Sequence, residues 1–233
     1  MQNTANVNDI RDRVQSVLER IERACSRSGR SVEDVTLIAV TKTAPAPSVA
    51  QALAAGVRHI GENRVQEARD KFPSLTLPFV GHLIGRLQTN KAKYVPQLFD
   101  WVHSLDRVAL ANELGRRSIA AGRTLNCLLQ VNVTGEESKQ GVSLEELPAL
   151  AEAACQVDGI RVRGLMTMAA YGASEAELRT TFSSLRKAAD SLADRGLPNV
   201  EMEHLSMGMS GDFEVAIEEG ATLVRVGSAI FGP

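Results

Sequence analysis

Short apolar segments alternate eight times with helix-like segments along this chain, and that alternation constrains the fold more than any other feature. The apolar segments are rich in aliphatic residues, as strands buried on both faces are. The predicted strands lie at 35–43, 58–61, 78–83, 100–103, 125–133, 160–168, 200–205 and 222–226. Parallel strands joined by right-handed crossovers close into a (β/α)8 TIM barrel, an α/β fold, and the alternative is a doubly wound open sheet.

An extra helix precedes the first strand, because apolar residues recur three and four apart between Asn8, its predicted N-cap, and Arg27. No linker rich in Pro, Ser or Gly divides the remaining chain, so residues 1–233 are expected to form a single barrel domain. The other predicted helices lie at 48–55, from the 61–67 segment to 71, and at 85–94, 107–121, 143–156, 174–195 and 212–219.

Helix-capping signals support three of these helices. Ser143 with Glu146 and Ser174 with Glu177 have the spacing of a capping box, in which each residue's side chain bonds the other's backbone amide. Asp212, at the end of the glycine-bearing loop 206–212, is predicted to cap the helix at 212–219.

Composition excludes several classes of function. A net charge of −2 gives no electrostatic reason to expect nucleic acid or an anionic membrane as a partner. No apolar run approaches the roughly 20 residues that span a bilayer. Cys25, Cys127 and Cys155 are far apart and form no C-x-x-C pair, so neither a zinc knuckle nor a disulfide framework is indicated, and a cytoplasmic location is expected.

Candidate binding residues cluster at the predicted C-terminal ends of the first and last strands, where barrel enzymes have their active sites. Lys42 ends the first strand, just before two prolines. The last two strands are followed by loops 206–212 and 227–232, whose glycines and serines suit an anion because backbone N–H groups can approach it closely. Arg225 lies within the last strand and shares a face with Gly227.

A lysine, an arginine and an anion cradle at one barrel mouth suit a phosphorylated aldehyde. Burial and nearby positive charge would lower the pKa of Lys42 and raise its neutral, nucleophilic fraction. Two interpretations fit these residues. One is a Schiff-base aldolase acting on a sugar phosphate, and the other is pyridoxal 5′-phosphate held by Lys42 with Arg225 at the pyridine nitrogen.

The four histidines, His59, His82, His103 and His204, lie in or beside predicted strands. A metal hydrolase would need several of them to converge with carboxylates, and no H-x-H pair occurs. We therefore expect no metal site and interpret most of these histidines as packing or hydrogen-bonding residues.

Six motifs in order resemble the pyridoxal phosphate homeostasis proteins, a family whose barrel is similar to the N-terminal domain of alanine racemase. The resemblance covers nearly the whole chain. Its motifs are V-T-K-T (40–43), G-E-N-R-V-Q-E (61–67), H-L-I-G-R-L-Q-T-N-K (82–91), G-L-M-T-M (164–168), L-S-M-G-M-S-G-D (205–212) and R-V-G-S-A-I-F-G (225–232).

The resemblance implies a role for each candidate residue. Lys42 would carry pyridoxal 5′-phosphate as a Schiff base, and Arg225 would face the pyridine nitrogen. Asn63 and Met166 match positions near the ring. The residues implied to bind the phosphate are Ser206, Gly208, Gly227 and Ser228.

The family's role would be vitamin B6 homeostasis and amino-acid balance, with the cofactor held, buffered or delivered to apo-enzymes that depend on it. Strong catalytic activity and a second copy of the chain are not expected, so the protein would act as a monomeric carrier. Two alternatives stay open at this point, a pyridoxal-phosphate-dependent amino-acid racemase and the sugar-phosphate aldolase.

Overall fold

Eight parallel strands form a closed barrel in sequence order, β1 to β8, with β1 hydrogen-bonded to β8. The structure, a computed structural model, describes residues 7–136 and 140–232. All eight predicted strands are present, with ends shifted by a few residues, and the predicted TIM barrel is confirmed. The strands are β1 (Thr36–Val40), β2 (His59–Glu62), β3 (Val80–Leu83), β4 (Trp101–Leu105), β5 (Leu125–Gln130), β6 (Ile160–Met166), β7 (Val200–Ser206) and β8 (Leu223–Val226).

Helices follow the strands on the outside of the barrel. The α-helices are α1 (Val7–Ser28), α2 (Ala46–Ala54), α3 (Val65–Lys71), α4 (Val95–Leu98), α5 (Val108–Ala120), α6 (Leu147–Ala154), α7 (Glu175–Ala193), α8 (Phe213–Glu218) and α9 (Ser228–Phe231). Short 3-10 helices lie at Val32–Asp34, Phe72–Ser74 and Thr89–Tyr94.

The predicted N-terminal helix is confirmed as α1, which packs against α2, α8 and α9. It therefore covers the outside of the barrel where β8 meets β1. Its buried stripe includes Ile10, Val14, Val17 and Ile21, and burying each such side chain contributes roughly 1.5–3 kcal/mol. The helix already begins at Val7, so Asn8 lies inside it and not at its cap.

Two helix predictions need correction. Residues 85–88 are not helical, and a 3-10 helix over Thr89–Tyr94 precedes α4. The backbone at Gly85 passes so close to the loop after β2 that an added Cβ would lie 2.3 Å from the Asn63 carbonyl oxygen. Asp212 occupies the N-cap position of α8 without capping it, because its Oδ1 accepts a hydrogen bond from the Met209 amide at 2.5 Å instead.

Both predicted capping boxes form. At α7, Ser174 Oγ accepts from the Glu177 amide and the Glu177 carboxylate accepts from the Ser174 amide. Ser143 and Glu146 make the same reciprocal pair at 3.0 and 3.2 Å, although α6 begins only at Leu147, one residue after the box.

The larger hydrophobic core lies between the strands and the helices, and a smaller one lies inside the barrel. Alternation along each strand separates the two, since Ile38 belongs to the inner cluster while its neighbour Ala39 packs in the outer one. Leu128, Met166 and Leu223 complete the inner cluster.

The paired segment of β7 and β8 is short, and hydrogen bonds from the Met207 amide to the Leu223 carbonyl and from the Arg225 amide to the Gly208 carbonyl continue the seam beyond it. In the described strands this pair shares one register position, Ser206 with Leu223. By contrast, β8 pairs with β1 from Thr36 to Ala39. Across the described part of the chain, no helix combines the length and apolar character needed to cross a membrane.

Candidate functional site

A cavity of about 770 Å³ opens at the C-terminal ends of the strands. Such a position is expected for a barrel, because the loops after the strands form its functional face. Five of the eight residues implicated by the sequence line the cavity: Lys42, Asn63, Arg225, Gly227 and Ser228. The structure thus brings together residues that are up to 186 positions apart, 228 minus 42, in the sequence.

The other three lie beneath the cavity and not on its wall. Met166 is 1% exposed and packs in the inner cluster. Ser206 is fully buried, because β7 continues one residue further than predicted and turns this side chain into the barrel. Gly208 has φ +92°, and an added Cβ would lie 2.7 Å from Ala216 Cβ, so a glycine is required for packing against α8. None of these three residues is among those that line the cavity.

Lys42 lies two residues beyond β1, on a turn with an unusual backbone. The next residue, Thr43, has φ +62°, which is rare for a β-branched residue and costs of order 1–2 kcal/mol. Thr43 Oγ1 donates to the Lys42 carbonyl at 2.6 Å and so stabilises the turn. The Lys42 side chain is exposed, so the burial that the sequence analysis expected around it is not observed.

Arg225 is a buried cation in the cavity floor, 4% exposed. Its Nη1 donates to Ser206 Oγ at 2.5 Å and its Nη2 donates to the Thr167 carbonyl at 2.8 Å. Burial lowers the pKa of Arg225 to about 10, an effect that the Asp212 carboxylate opposes. The guanidinium therefore keeps its charge at neutral pH and can only donate hydrogen bonds.

Backbone amides of the loop after β8 converge on one oxygen atom. Ser210 Oγ accepts from the Gly227 amide at 3.2 Å and from the Ala229 amide at 3.3 Å. A side chain at Gly227 would press on Val40, 3.3 Å from the position of an added Cβ. Amides that already point at an oxygen have the geometry that an oxyanion requires.

One acidic residue, Asp212, also lines this part of the cavity. Burial raises its pKa, while the hydrogen bond from the Met209 amide acts in the opposite direction. Because the carboxylate is turned toward the Met209 amide, its charge is partly satisfied away from the converging amides.

Asn63 is positioned by a close backbone contact. Its loop, which follows β2, is contacted by the backbone of Gly85 after β3, with no room for a Cβ between them. The glycine of the 82–91 motif is therefore explained by packing against the 61–67 motif.

Three of the four histidines hydrogen-bond to one another inside the barrel. The sequence analysis expected packing or hydrogen-bonding residues but did not identify these partners. Burial is the main cause that lowers the pKa of His82 and His103 well below the ordinary value, and it also lowers the pKa of His59. Among residues 7–136 and 140–232, no group of three or more His, Cys, Asp or Glu side chains is placed to hold a metal ion.

Sequence reasoning did not single out Ser210, Gln130 or Met168, which also line the cavity, whereas Tyr171, whose position after the sixth strand suggested that it could reach the barrel mouth, does line it. Ser210 lay within a quoted motif, but no pattern distinguished it from Ser206. Gln130 ends β5, is 2% exposed, and its Oε1 has no hydrogen-bond partner in the described structure. A polar residue at the end of an otherwise apolar strand was the available signal for it.

Comparison with known proteins places this architecture in a family. Residues 14–233 match the family described as "Alanine racemase, N-terminal domain". A Pseudomonas aeruginosa relative named "Pyridoxal phosphate homeostasis protein" is 45% identical over 224 residues, which cover 96% of this chain and 95% of the relative. An Aquifex aeolicus relative of the same name is 44% identical over 95% of this chain and 96% of its own length.

Among solved structures, Synechococcus elongatus PipY with bound PLP aligns with a TM-score of 0.81 at 40% identity, covering 91% of this chain and all of that one. Alanine racemase from Corynebacterium glutamicum aligns with a TM-score of 0.70 at 16% identity, over 97% of this chain and 61% of the racemase, and shows the shared fold alone. By sequence and by fold, this chain belongs to the pyridoxal phosphate homeostasis proteins of the alanine racemase N-terminal domain family.

Proposed function

We propose that this protein binds pyridoxal 5′-phosphate at the C-terminal mouth of its barrel and holds it as a Schiff base on Lys42. Its role would be to hold, buffer or deliver the cofactor, and so to maintain vitamin B6 and amino-acid balance. The observation that carries the proposal is that one cavity is lined by a lysine, a buried arginine and a loop with converging backbone amides. The relatives' names and the PLP-bound PipY structure support it.

The donor set fits the chemistry of this cofactor. The phosphate is an anion that would take the place of Ser210 Oγ as the acceptor of the Gly227 and Ala229 amides. The Ser228 and Ser210 hydroxyls supply further donors on the same side of the cavity. The aldehyde needs a primary amine, which Lys42 supplies. Carbon–nitrogen double-bond formation between the Lys42 amine and the aldehyde releases one water molecule, so no oxidant or other reactant is needed.

In this proposal Ser206 and Gly208 support the site without contacting the cofactor directly. Ser206 holds Arg225 from below, and Gly208 permits the loop after β7 to pack against α8. Met166 supports the cavity floor from the inner cluster, and Asn63 faces the ligand from the wall.

Arg225 favours holding over catalysis. A guanidinium keeps its own protons, so at the pyridine nitrogen it would leave that nitrogen unprotonated. The bound cofactor supplies electron-sink chemistry, which is weaker when the ring nitrogen carries no proton. We therefore propose a carrier with apo-enzymes as recipients, acting as a monomer in the cytoplasm; three buried free cysteines suit a reducing compartment.

A racemase is the second candidate, because Tyr171 lines the cavity and its exposed phenol could exchange a proton. Purified protein would be assayed for exchange of the α-proton of alanine in deuterated buffer. Sustained turnover of about 1 per second or more is typical of an enzyme and would favour the racemase over the carrier.

The proposal is tested by the visible spectrum of the purified protein with equimolar pyridoxal 5′-phosphate, before and after borohydride. We expect an imine band that borohydride removes, and a reduced adduct on the peptide containing Lys42. Protein that stays colourless would instead favour the sugar-phosphate aldolase, and an adduct on another lysine would remove Lys42 from its role.

A further inference from the structure

Five side chains form one continuous hydrogen-bonded series through the barrel. His59 Nδ1 lies 3.0 Å from His82 Nε2, and His82 Nδ1 lies 2.9 Å from His103 Nε2. His103 Nδ1 lies 2.9 Å from Ser206 Oγ, which accepts from Arg225 Nη1 at 2.5 Å. The series crosses from β2 through β3 and β4 to β7 and β8, and it ends in the floor of the cavity.

The direction of every hydrogen bond in the series follows from Arg225. Arginine has donors only, so Ser206 Oγ must accept from it. The described structure offers the Ser206 hydroxyl hydrogen one further partner, His103 Nδ1. If that hydrogen is to be satisfied, His103 Nδ1 accepts, and the neutral ring carries its proton on Nε2.

The same logic continues to the far end of the series. His103 Nε2–H donates to His82 Nδ1, and His82 Nε2–H then donates to His59 Nδ1. All three rings have the same tautomer, with the proton on Nε2. If every hydrogen bond ran in the opposite direction, His103 Nδ1–H would donate to Ser206 Oγ. The buried Ser206 hydroxyl hydrogen would then have no acceptor, at a free-energy cost of about 1–3 kcal/mol.

Burial and charge keep the rings neutral. His82, His103 and Ser206 are at most 1% exposed, and His59 is half-buried at the opposite end of the barrel. Burial lowers the pKa of all three histidines, with Arg225 acting in the same direction on His103.

The charged group that opposes this effect is Asp100, which acts on His59. His204 and the other rings of the series lower the pKa of His82 further. Trp101 stacks on the His82 ring with centroids 5.7 Å apart and an angle of 12°, so the ring has little freedom to rotate.

We propose that Ser206 and His103, backed by His82 and His59, are positioning residues that orient the Arg225 guanidinium toward the ligand. Ser206 and the Thr167 carbonyl hold two nitrogens of one planar group, which sets its plane and the direction of its remaining N–H groups. This inference rests on the proposed function in one respect, since it takes the pyridine nitrogen of the cofactor as the acceptor of a hydrogen bond from Arg225.

The histidine tautomers test the series without any ligand. We would record long-range 15N–1H spectra of the purified protein, labelled on its histidine rings, at pH 7. The expected result is the Nε2–H tautomer for His59, His82 and His103, with His103 becoming a tautomer mixture in Ser206→Ala but not in Ser206→Thr. A Nδ1–H tautomer at His82 or His103 of the unmodified protein would overturn the inference.

Ligand affinity tests the positioning role. Ser206→Ala should bind pyridoxal 5′-phosphate about tenfold more weakly, the loss of one charge-assisted hydrogen bond, and Ser206→Thr should restore most of the affinity. Ser118→Ala is the matched control, since Ser118 is also buried and its hydroxyl donates to the Leu114 carbonyl. If Ser206→Ala and the unmodified protein bind pyridoxal 5′-phosphate with equal affinity, Ser206 is not a positioning residue.

The two proposals can fail separately. Protein that forms no imine but shows the three Nε2–H tautomers would contradict the proposed function and leave the directional series intact. Protein that forms the imine but shows mixed tautomers would support the proposed function and contradict the directional series.

Discussion

Ser210 Oγ accepts a hydrogen bond from the Gly227 amide at 3.2 Å, and this contact joins the loop after β7 to the loop after β8. The two loops are thereby joined at the seam where the assigned pairing of the strands is one register position long. An anion bound there would meet donors from both loops at once. The proposed phosphate site is therefore a joint property of two strand ends.

Ser228→Ala is expected to reduce the preference for phosphorylated ligand. Ser228 is exposed and lines the cavity beside Gly227, and a hydrogen bond to an anion contributes roughly 1.5–3 kcal/mol. The ratio of the dissociation constants of pyridoxal and pyridoxal 5′-phosphate should therefore fall about tenfold or more. Ser191→Ala, an exposed serine on α7, is the control, and an unchanged ratio in Ser228→Ala would place the phosphate elsewhere.

Lys42→Ala should abolish the imine band and leave the fold intact. The side chain is exposed at the cavity mouth, so its loss should change the free energy of unfolding by no more than about 0.5 kcal/mol. Lys187→Ala, an exposed lysine on α7, should keep the band. Visible absorbance and urea unfolding measure the two effects, and an imine band retained by Lys42→Ala would show that another amine carries the ligand.

Gly85→Ala should destabilise the protein and weaken ligand binding together. The added Cβ would lie 2.3 Å from the Asn63 carbonyl oxygen, so one of the two loops must move, at a cost of about 1–3 kcal/mol. Gly211→Ala is a matched control, because Gly211 also lines the cavity and an added Cβ there meets no atom within 4 Å. Similar unfolding free energies for the two variants would contradict the packing argument.

Stability should fall as the pH drops below about 6.5. His82 and His103 have a lower pKa in the folded state than in the unfolded chain, so the unfolded chain binds more protons in acid. Each such histidine contributes up to about 1.4 kcal/mol per pH unit to the slope of the unfolding free energy. The two histidines together therefore give a slope of roughly 2–3 kcal/mol per pH unit near pH 5.5. Unfolding free energies from pH 5.5 to 7.5 measure the slope.

Carboxylates with a lowered pKa, such as Glu177, titrate below that window and do not mimic the effect. A stability that stays flat between pH 5.5 and 6.5 would show that the two buried rings accept protons in the folded state.

The barrel could be predicted from the sequence because its strands are apolar runs and its helices are amphipathic, and neither signal depends on distant residues. The candidate site was harder. Ser206 and Ser210 lie four positions apart in one glycine-bearing motif, and only the true end of β7 decides which one faces the cavity. Likewise β6 ends at Met166, which turns inward, while Met168 lines the cavity.

Contacts between distant segments explain the remaining differences. The 85–88 segment is not helical, and Gly85 within it packs on the Asn63 loop, a contact that no local pattern reveals. The hydrogen-bonded series of histidines is equally invisible in the sequence, since its three rings lie on three different strands. Residue type predicted that such groups would find partners, but the fold determines which partners they find.

The bond between Arg225 and Ser206 spans the same seam at which β7 and β8 share a single register position. One contact thus crosses the closure of the barrel and also holds the guanidinium that we propose faces the ligand. A substitution at either residue is therefore expected to change the closure of the barrel and the orientation of the guanidinium at once.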